Sequence, residues 1–157
     1  MAALPDVLIP YAQAFDTFFK AHYAPRRSTT SHSIQEPIEH TLENGGKRIR
    51  PLLTLLGAEL CGGSLQEALP AATCIEMTHN FTLIHDDVMD DADIRRGQAS
   101  VYKKWGTNTA ILSGDSLFVQ SMMILTDHYD SLPSNRFHDL YKIYLESIYE
   151  VCNGQAL

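Results

Sequence analysis

Residues 64–90 read SLQEALPAATCIEMTHNFTLIHDDVMD, and this stretch decides the fold. Ser64 followed three residues later by Glu67 is a capping-box pattern, in which each residue satisfies a free backbone donor at a helix start. Leu69, Ala72, Ile75, His79, Leu83, Asp86 and Asp90 then recur at steps of three and four. The spacing predicts one long helix whose face is apolar early and acidic late, fraying after Asp93.

The same period extends outward in both directions. Upstream, Leu4, Leu8, Tyr11, Phe15, Phe18 and Phe19 mark a first helix, broken at Ala24–Pro25–Arg26–Arg27–Ser28. Ile34, Ile38 and Leu42 mark a second, from about Ser33 to Asn44, closed by Gly45–Gly46. Pro51 suits the first turn of a third, whose leucines run to Gly62–Gly63. Downstream come a loop around Arg95–Gly97, a short helical piece through Trp105, a long apolar helix from Asn108 to Tyr129, and another from Arg136 onward, still running near Leu157. No segment alternates with period two. The expectation is an all-α protein of six or seven helices.

With 157 residues the chain suits one domain, and 45% hydrophobic with 20% charged residues places it among soluble globular proteins. A net charge of −7 argues against nucleic acid as a partner, because phosphate backbones demand a basic face. The positive charge is nevertheless clustered, in Lys47, Arg48 and Arg50 and again in Arg95, Arg96, Lys103 and Lys104. Such spots suit a small anionic ligand. Cys61, Cys74 and Cys152 form an odd set without metal-ligand spacing, and the first two fall in or beside apolar patterns. Reduced thiols and a cytoplasmic protein are expected. No signal-peptide pattern and no apolar run near the roughly 18 residues of a membrane span stand out.

On an ideal helix Asp86 and Asp90 share a face one turn apart, Asp87 lies about 100° round, and Asp93 follows on the next turn. A solvated acidic face is the ordinary reading of such a pair. Here the acids follow the mostly apolar Phe81–Thr82–Leu83–Ile84, which puts them where a buried helix emerges at a pocket or at the surface. Carboxylates this close repel unless a cation joins them, and oxygen ligands favour Mg²⁺ or Mn²⁺ over zinc. Arg95 and Arg96 beside such a cation point to an anionic co-ligand, a phosphate or diphosphate. His79, two turns earlier on the same face, suits a structural role or a ligand equally, and Phe81 reads as core. In Gly45–Gly46–Lys47–Arg48–Ile49–Arg50–Pro51, cations gather where a helix begins, which makes an anion site or a solvated turn. It is no Walker loop, because the glycine spacing and the hydroxyl after the lysine are absent.

Taken in order, GGKRIRP, HNFTLIHDDVMD, RRG and AILSGDSL resemble the trans-isoprenyl diphosphate synthases, the polyprenyl synthetase family that makes geranyl, farnesyl, geranylgeranyl and longer diphosphates. The resemblance runs through Asn153–Gly154–Gln155 and implies the isoprenoid synthase helical bundle. It implies Mg²⁺ on Asp86 and Asp90 with Asp87 in support, isopentenyl diphosphate on Lys47, Arg50, His79 and Arg96 with Arg48 adjacent, and an allylic diphosphate on Arg95. Asp86, Asp90 and Arg95 would then assist ionisation, and the product would be five carbons longer. Phe81 and Thr82, the fifth and fourth residues before the acids, fall where such enzymes set product length. An ideal helix places Phe81 well off the Asp86 face, so that role comes from the resemblance alone. The pattern is similar to the geranylgeranyl type, and a homodimer is implied.

Ala99 and Tyr102 depart from the proline and histidine that many members carry after RRG. The chain ends at Gly154–Gln155–Ala156–Leu157, before the second aspartate-rich motif of such enzymes, so residues 1–157 are expected to be the N-terminal portion of a single domain, with little activity alone. Two other readings are a class I terpene cyclase, which has no second diphosphate for GGKRIRP and His79 to serve, and a non-catalytic subunit of a heteromeric synthase, which often loses the DDxxD acids kept here.

Overall fold

The computed structural model describes residues 5–23 and 31–156. A 3-10 turn, Asp6–Leu8, leads into α1 (Ile9–Tyr23), then α2 (His32–Glu43), α3 (Ile49–Leu60) and α4 (Leu65–Met89). Strands β1 (Ile94–Arg95) and β2 (Gln98–Ala99) follow, then α5 (Val101–Trp105), α6 (Thr107–Tyr129) and α7 (Ser134–Gln155). The fold is all-α, with seven α-helices among the described residues. Leu4 and the expected break at Ala24–Ser28 lie outside them.

α4 begins as its sequence predicts. The Ser64 hydroxyl accepts the Glu67 N–H at 3.2 Å, and the Glu67 carboxylate accepts the Ser64 N–H at 3.0 Å. Its buried residues, among them Ala68, Thr73, Met77 and Thr78, fall on every side of the helix, the condition of a central element. α1, α2, α3 and α5 pack around it. Phe15, Phe19, Ile38, Leu42, Leu55, Leu69, Ile84 and Leu117 fill the space between.

α4 ends earlier than the expected fraying point at Asp93. Asp91 takes a left-handed φ of +49°, and the Ala92 N–H reaches back to the Asp87 carbonyl at 2.9 Å, a six-to-one bond that closes the helix. Asp93 therefore leaves the helix axis, and its exposed carboxylate pairs with Lys103 Nζ at 2.9 Å. The expected loop around Arg95–Gly97 is instead an antiparallel hairpin pairing Ile94 with Ala99 and Arg95 with Gln98. Arg96 and Gly97 both have positive φ, +52° and +82°, as a two-residue type I′ turn requires. Strands of two residues carry no detectable period, which is why the sequence conceals them.

α6 runs antiparallel to α4. The Thr78 hydroxyl donates to Ser121 Oγ at 3.2 Å, the Phe81 and Phe118 rings lie 4.8 Å apart, and His85 Nε2 meets the Ile111 carbonyl at 3.1 Å. Gly114 makes the notch for the last of these contacts, since a β-carbon there would sit 2.3 Å from His85 Nε2. Gly114→Ala is expected to push the His85 ring off the Ile111 carbonyl, a loss set against about 1 kcal/mol of helix propensity gained, so that stability changes by less than about 1 kcal/mol. Urea unfolding measures this, and a loss above about 2 kcal/mol would show that the ring has no room to move.

By length and composition α6 could cross a membrane, with a mean hydropathy of 1.2 over 18 residues, contrary to the expectation of no such run. Its buried Ala110, Leu117 and Ile124, however, belong to the hydrophobic core. A chain division falls after Ile124. Beyond it, the Phe137 and Tyr141 rings meet at a tilt with centres 5.2 Å apart along α7 and Tyr144 is buried, while Ile143, Leu145, Tyr149 and Val151 are exposed. No cysteine is in a disulfide. Cys74 is buried as expected, but Cys61, just past the end of α3, is exposed.

Candidate active site

Three segments meet beside the C-terminal half of α4: the α2–α3 connection, the hairpin, and the last turns of α4 itself. Gly46, Lys47, Arg48, Arg50, Glu76, His79 and Arg96 line a concavity of about 180 Å³. Lys47 is exposed at its rim. Arg50 Nη1 lies 3.2 Å from His79 Nε2. Burial first, and then the charge of Arg50, hold the His79 imidazole below its ordinary pKa. His79 is therefore neutral near pH 7, with Nε2 accepting from Arg50 and Nδ1–H left as a donor.

Arg48 lines the same concavity but is engaged from within the fold. It opens α3 in the left-handed region, and its guanidinium donates to Glu76 Oε1 at 2.5 Å and to the Leu42 carbonyl at 3.2 Å, over the Phe19 ring. Its guanidinium is thus already partnered within the fold, whereas Lys47 stays exposed. Glu76 is 2% exposed and also receives Asn80 Nδ2 at 3.3 Å.

The acids divide in the same way. Asp87, 3% exposed, accepts both Nε (2.8 Å) and Nη2 (2.5 Å) of Arg95 on one oxygen. Asp86 and Asp90 remain one turn apart, the Asp90 N–H bonding the Asp86 carbonyl at 2.8 Å. Burial first, and the charge of Asp90 second, push the Asp86 carboxyl above its usual range. On the other side of the turn, Arg96 donates to the Gly45 carbonyl. A β-carbon on Gly46 would come within 3.3 Å of its Nη1, so the guanidinium lies flat against that glycine. Consecutive residues of one hairpin thus serve the acidic cluster and the basic concavity.

Residues 31–157 match the polyprenyl synthetase family. The chain belongs to that family. It is 39% identical over 125 residues to the geranylgeranyl diphosphate synthase of Saccharolobus solfataricus, covering 80% of this chain and 38% of that protein. It is 36% identical over its whole length to the short chain isoprenyl diphosphate synthase of Methanothermobacter thermautotrophicus, covering 46% of it. The solved geranylgeranyl pyrophosphate synthetase of Geoglobus acetivorans superposes with a TM-score of 0.85 at 32% identity, covering 96% of this chain and 47% of that one. The chain thus spans less than half the length of each of these polyprenyl synthetase relatives.

Among the described residues no three His, Cys, Asp or Glu side chains converge to hold a metal ion. Asp86 and Asp90 still fit one. They are oxygen donors on one helix face, the charge of Asp90 adding to burial in raising the Asp86 pKa, and Mg²⁺ commonly takes one or two carboxylates with phosphate and water completing its shell. Asp87 differs from them in accepting from Arg95 through Oδ1.

Sequence reading missed Glu76, His40 and Gly114. Glu76 did leave a signal, being a lone charge in the apolar run Ala71–Thr78 with Ala72 and Asn80 at the helical neighbour positions. A charge so placed needs a partner from elsewhere in the chain.

Proposed function

We propose that this chain supplies the two diphosphate sites of prenyl-chain elongation, in which an allylic diphosphate joins isopentenyl diphosphate head to tail. The observation that carries this reading is the hairpin, whose adjacent guanidinium groups go to two chemically different places. Arg95 stands with the carboxylates and Arg96 with the cations. One site suits a diphosphate that brings a metal, and the other a diphosphate held by cations directly.

Asp86 and Asp90 would hold Mg²⁺, or Mn²⁺, against the allylic diphosphate. When bound, the metal draws charge onto the departing diphosphate. Arg95, fixed by Asp87, adds a donor on that side. Lys47, Arg50 and Arg96 hold the second diphosphate, and neutral His79 offers its Nδ1–H without adding charge. The flanking Leu83 and Ile84 exclude water, which would otherwise trap an allylic cation. Phe81, packed on Phe118, and Thr82, bonded to the His79 carbonyl at 2.8 Å, are proposed to limit chain length to a geranylgeranyl or farnesyl product. The names of the relatives, geranylgeranyl and short-chain synthases, support that class. Leu112, Val119 and Met123 form an exposed apolar row on α6 that suits a second copy, in line with a homodimer.

Titration calorimetry tests the assignment. The allylic ligand is expected to bind only with Mg²⁺, while isopentenyl diphosphate keeps most of its affinity in a chelator. Equal metal dependence for both, or no binding of either, would sink the reading.

A further inference from the structure

A ladder of two-residue strands is too short to hold two guanidinium groups in place unaided. The fold supplies an outside support at the end of α2. His40 Nε2 lies 2.8 Å from the carbonyl of Ala99, 59 residues away in sequence. The imidazole also meets the Trp105 ring edge-on at 5.1 Å, and Lys104 Nζ lies 4.2 Å from the centre of that indole. Ala99 pairs with Ile94, immediately before Arg95, and the next residue, Ser100, donates its N–H to the Asp93 carbonyl at 3.0 Å. His40, Asp87, Arg95, Arg96 and Ala99 line one narrow cleft. Two residues past the end of α2, the Gly45 carbonyl receives Arg96. The end of α2 therefore grips the hairpin twice, through a side chain on β2 and through backbone at the turn.

We propose that His40 is a positioning residue that clamps the hairpin, so that Arg95 is presented to the acidic cluster and Arg96 to the basic concavity. Its hydrogen bond runs to the Ala99 backbone, so it acts on Arg95 and Arg96 through the hairpin. A carbonyl accepts only from Nε2–H, which both the corresponding neutral tautomer and the imidazolium provide, so the clamp does not depend on the charge of His40. One donor therefore stands behind both cations, and its loss weakens both sites together. A residue that merely adds stability would have no reason to do this.

The inference rests on reading the two places as diphosphate sites, and its test separates the two ideas. Three proteins are compared, the unaltered chain, His40→Ala, and His40→Gln, whose side-chain amide restores a donor near Nε2. Hydrogen exchange of the Ser100 amide reports the hairpin without ligand. Calorimetry with inorganic pyrophosphate, with and without Mg²⁺, reports the sites. In His40→Ala the Ser100 amide is expected to exchange roughly tenfold faster, and pyrophosphate affinity to fall several-fold to roughly tenfold in both conditions, the scale of one lost hydrogen bond. His40→Gln should recover most of both. Unchanged exchange in His40→Ala overturns the clamp whatever pyrophosphate does. Faster exchange with unchanged affinity, or loss under only one metal condition, overturns the positioning role. If the unaltered chain binds no pyrophosphate, the diphosphate reading falls and takes the positioning role with it, while Ser100 exchange still decides whether the clamp exists.

Discussion

Glu76→Ala is expected to destabilise the chain by about 3–5 kcal/mol, the scale of a buried ion pair broken from one side. The Glu76 side chain is 3% exposed and that of Arg48 16%, with 2.5 Å between them. Removing the carboxylate strands a guanidinium already committed to the Leu42 carbonyl and the Phe19 face. Asn80, whose amide donates to both the Glu76 carboxylate and its backbone carbonyl, loses the first of these bonds. Urea unfolding of Glu76→Ala, Arg48→Met and the double variant measures the coupling. The double variant should be much less destabilised than the sum of its parts. A loss under 1 kcal/mol in Glu76→Ala would show that water reaches the pair.

The second large effect is on ligand binding. Asp86→Asn combined with Asp90→Asn is expected to abolish the Mg²⁺-dependent part of pyrophosphate binding, a fall of more than roughly 100-fold, beyond what loss of an outer-shell partner produces. Binding that needs no metal should persist at the basic concavity. Stability should move the other way. The folded Asp86 carboxyl titrates above its ordinary value of 3.8, so the unfolded chain gives up that proton more readily. Ionisation therefore favours unfolding as the pH rises from that ordinary value through the folded pKa, and the cost is complete above it. Without metal, Asp86→Asn alone should melt higher than the parent at neutral pH, and the advantage should vanish well below pH 3.8. Thermal melts across that range decide it. A lower melting temperature at pH 7 would mean that Asp86 has a structural partner.

These two cases also show where sequence reading stops. The capping box at Ser64 and Glu67, the glycine closure of α2 and α3, and the pairing of Asp86 with Asp90 were legible because each depends on residues within one or two helical turns. Residues farther apart left no such pattern. Nothing in the interval between Asp87 and Arg95 says that they bond, because the distance is set by a helix cap and a hairpin that the sequence only hints at. Arg48 and Arg50 are two cations of the single run Gly45–Pro51, yet Glu76 engages the first and His79 meets the second, partners 28 and 29 residues away that no local pattern announces. Asp93 fell off the helix because Asp91 adopted a conformation uncommon for a non-glycine residue.

The type I′ turn between Arg95 and Gln98 has a consequence for how this chain can change. The two cations are set apart by a single peptide unit, about 3.8 Å between α-carbons. That spacing is indifferent to the length of every other loop. Insertions between helices can accumulate without altering the interval, whereas one residue added inside the turn would break the register of Ile94 with Ala99 and re-aim both cations at once. This four-residue ladder is therefore the segment least free to drift in length.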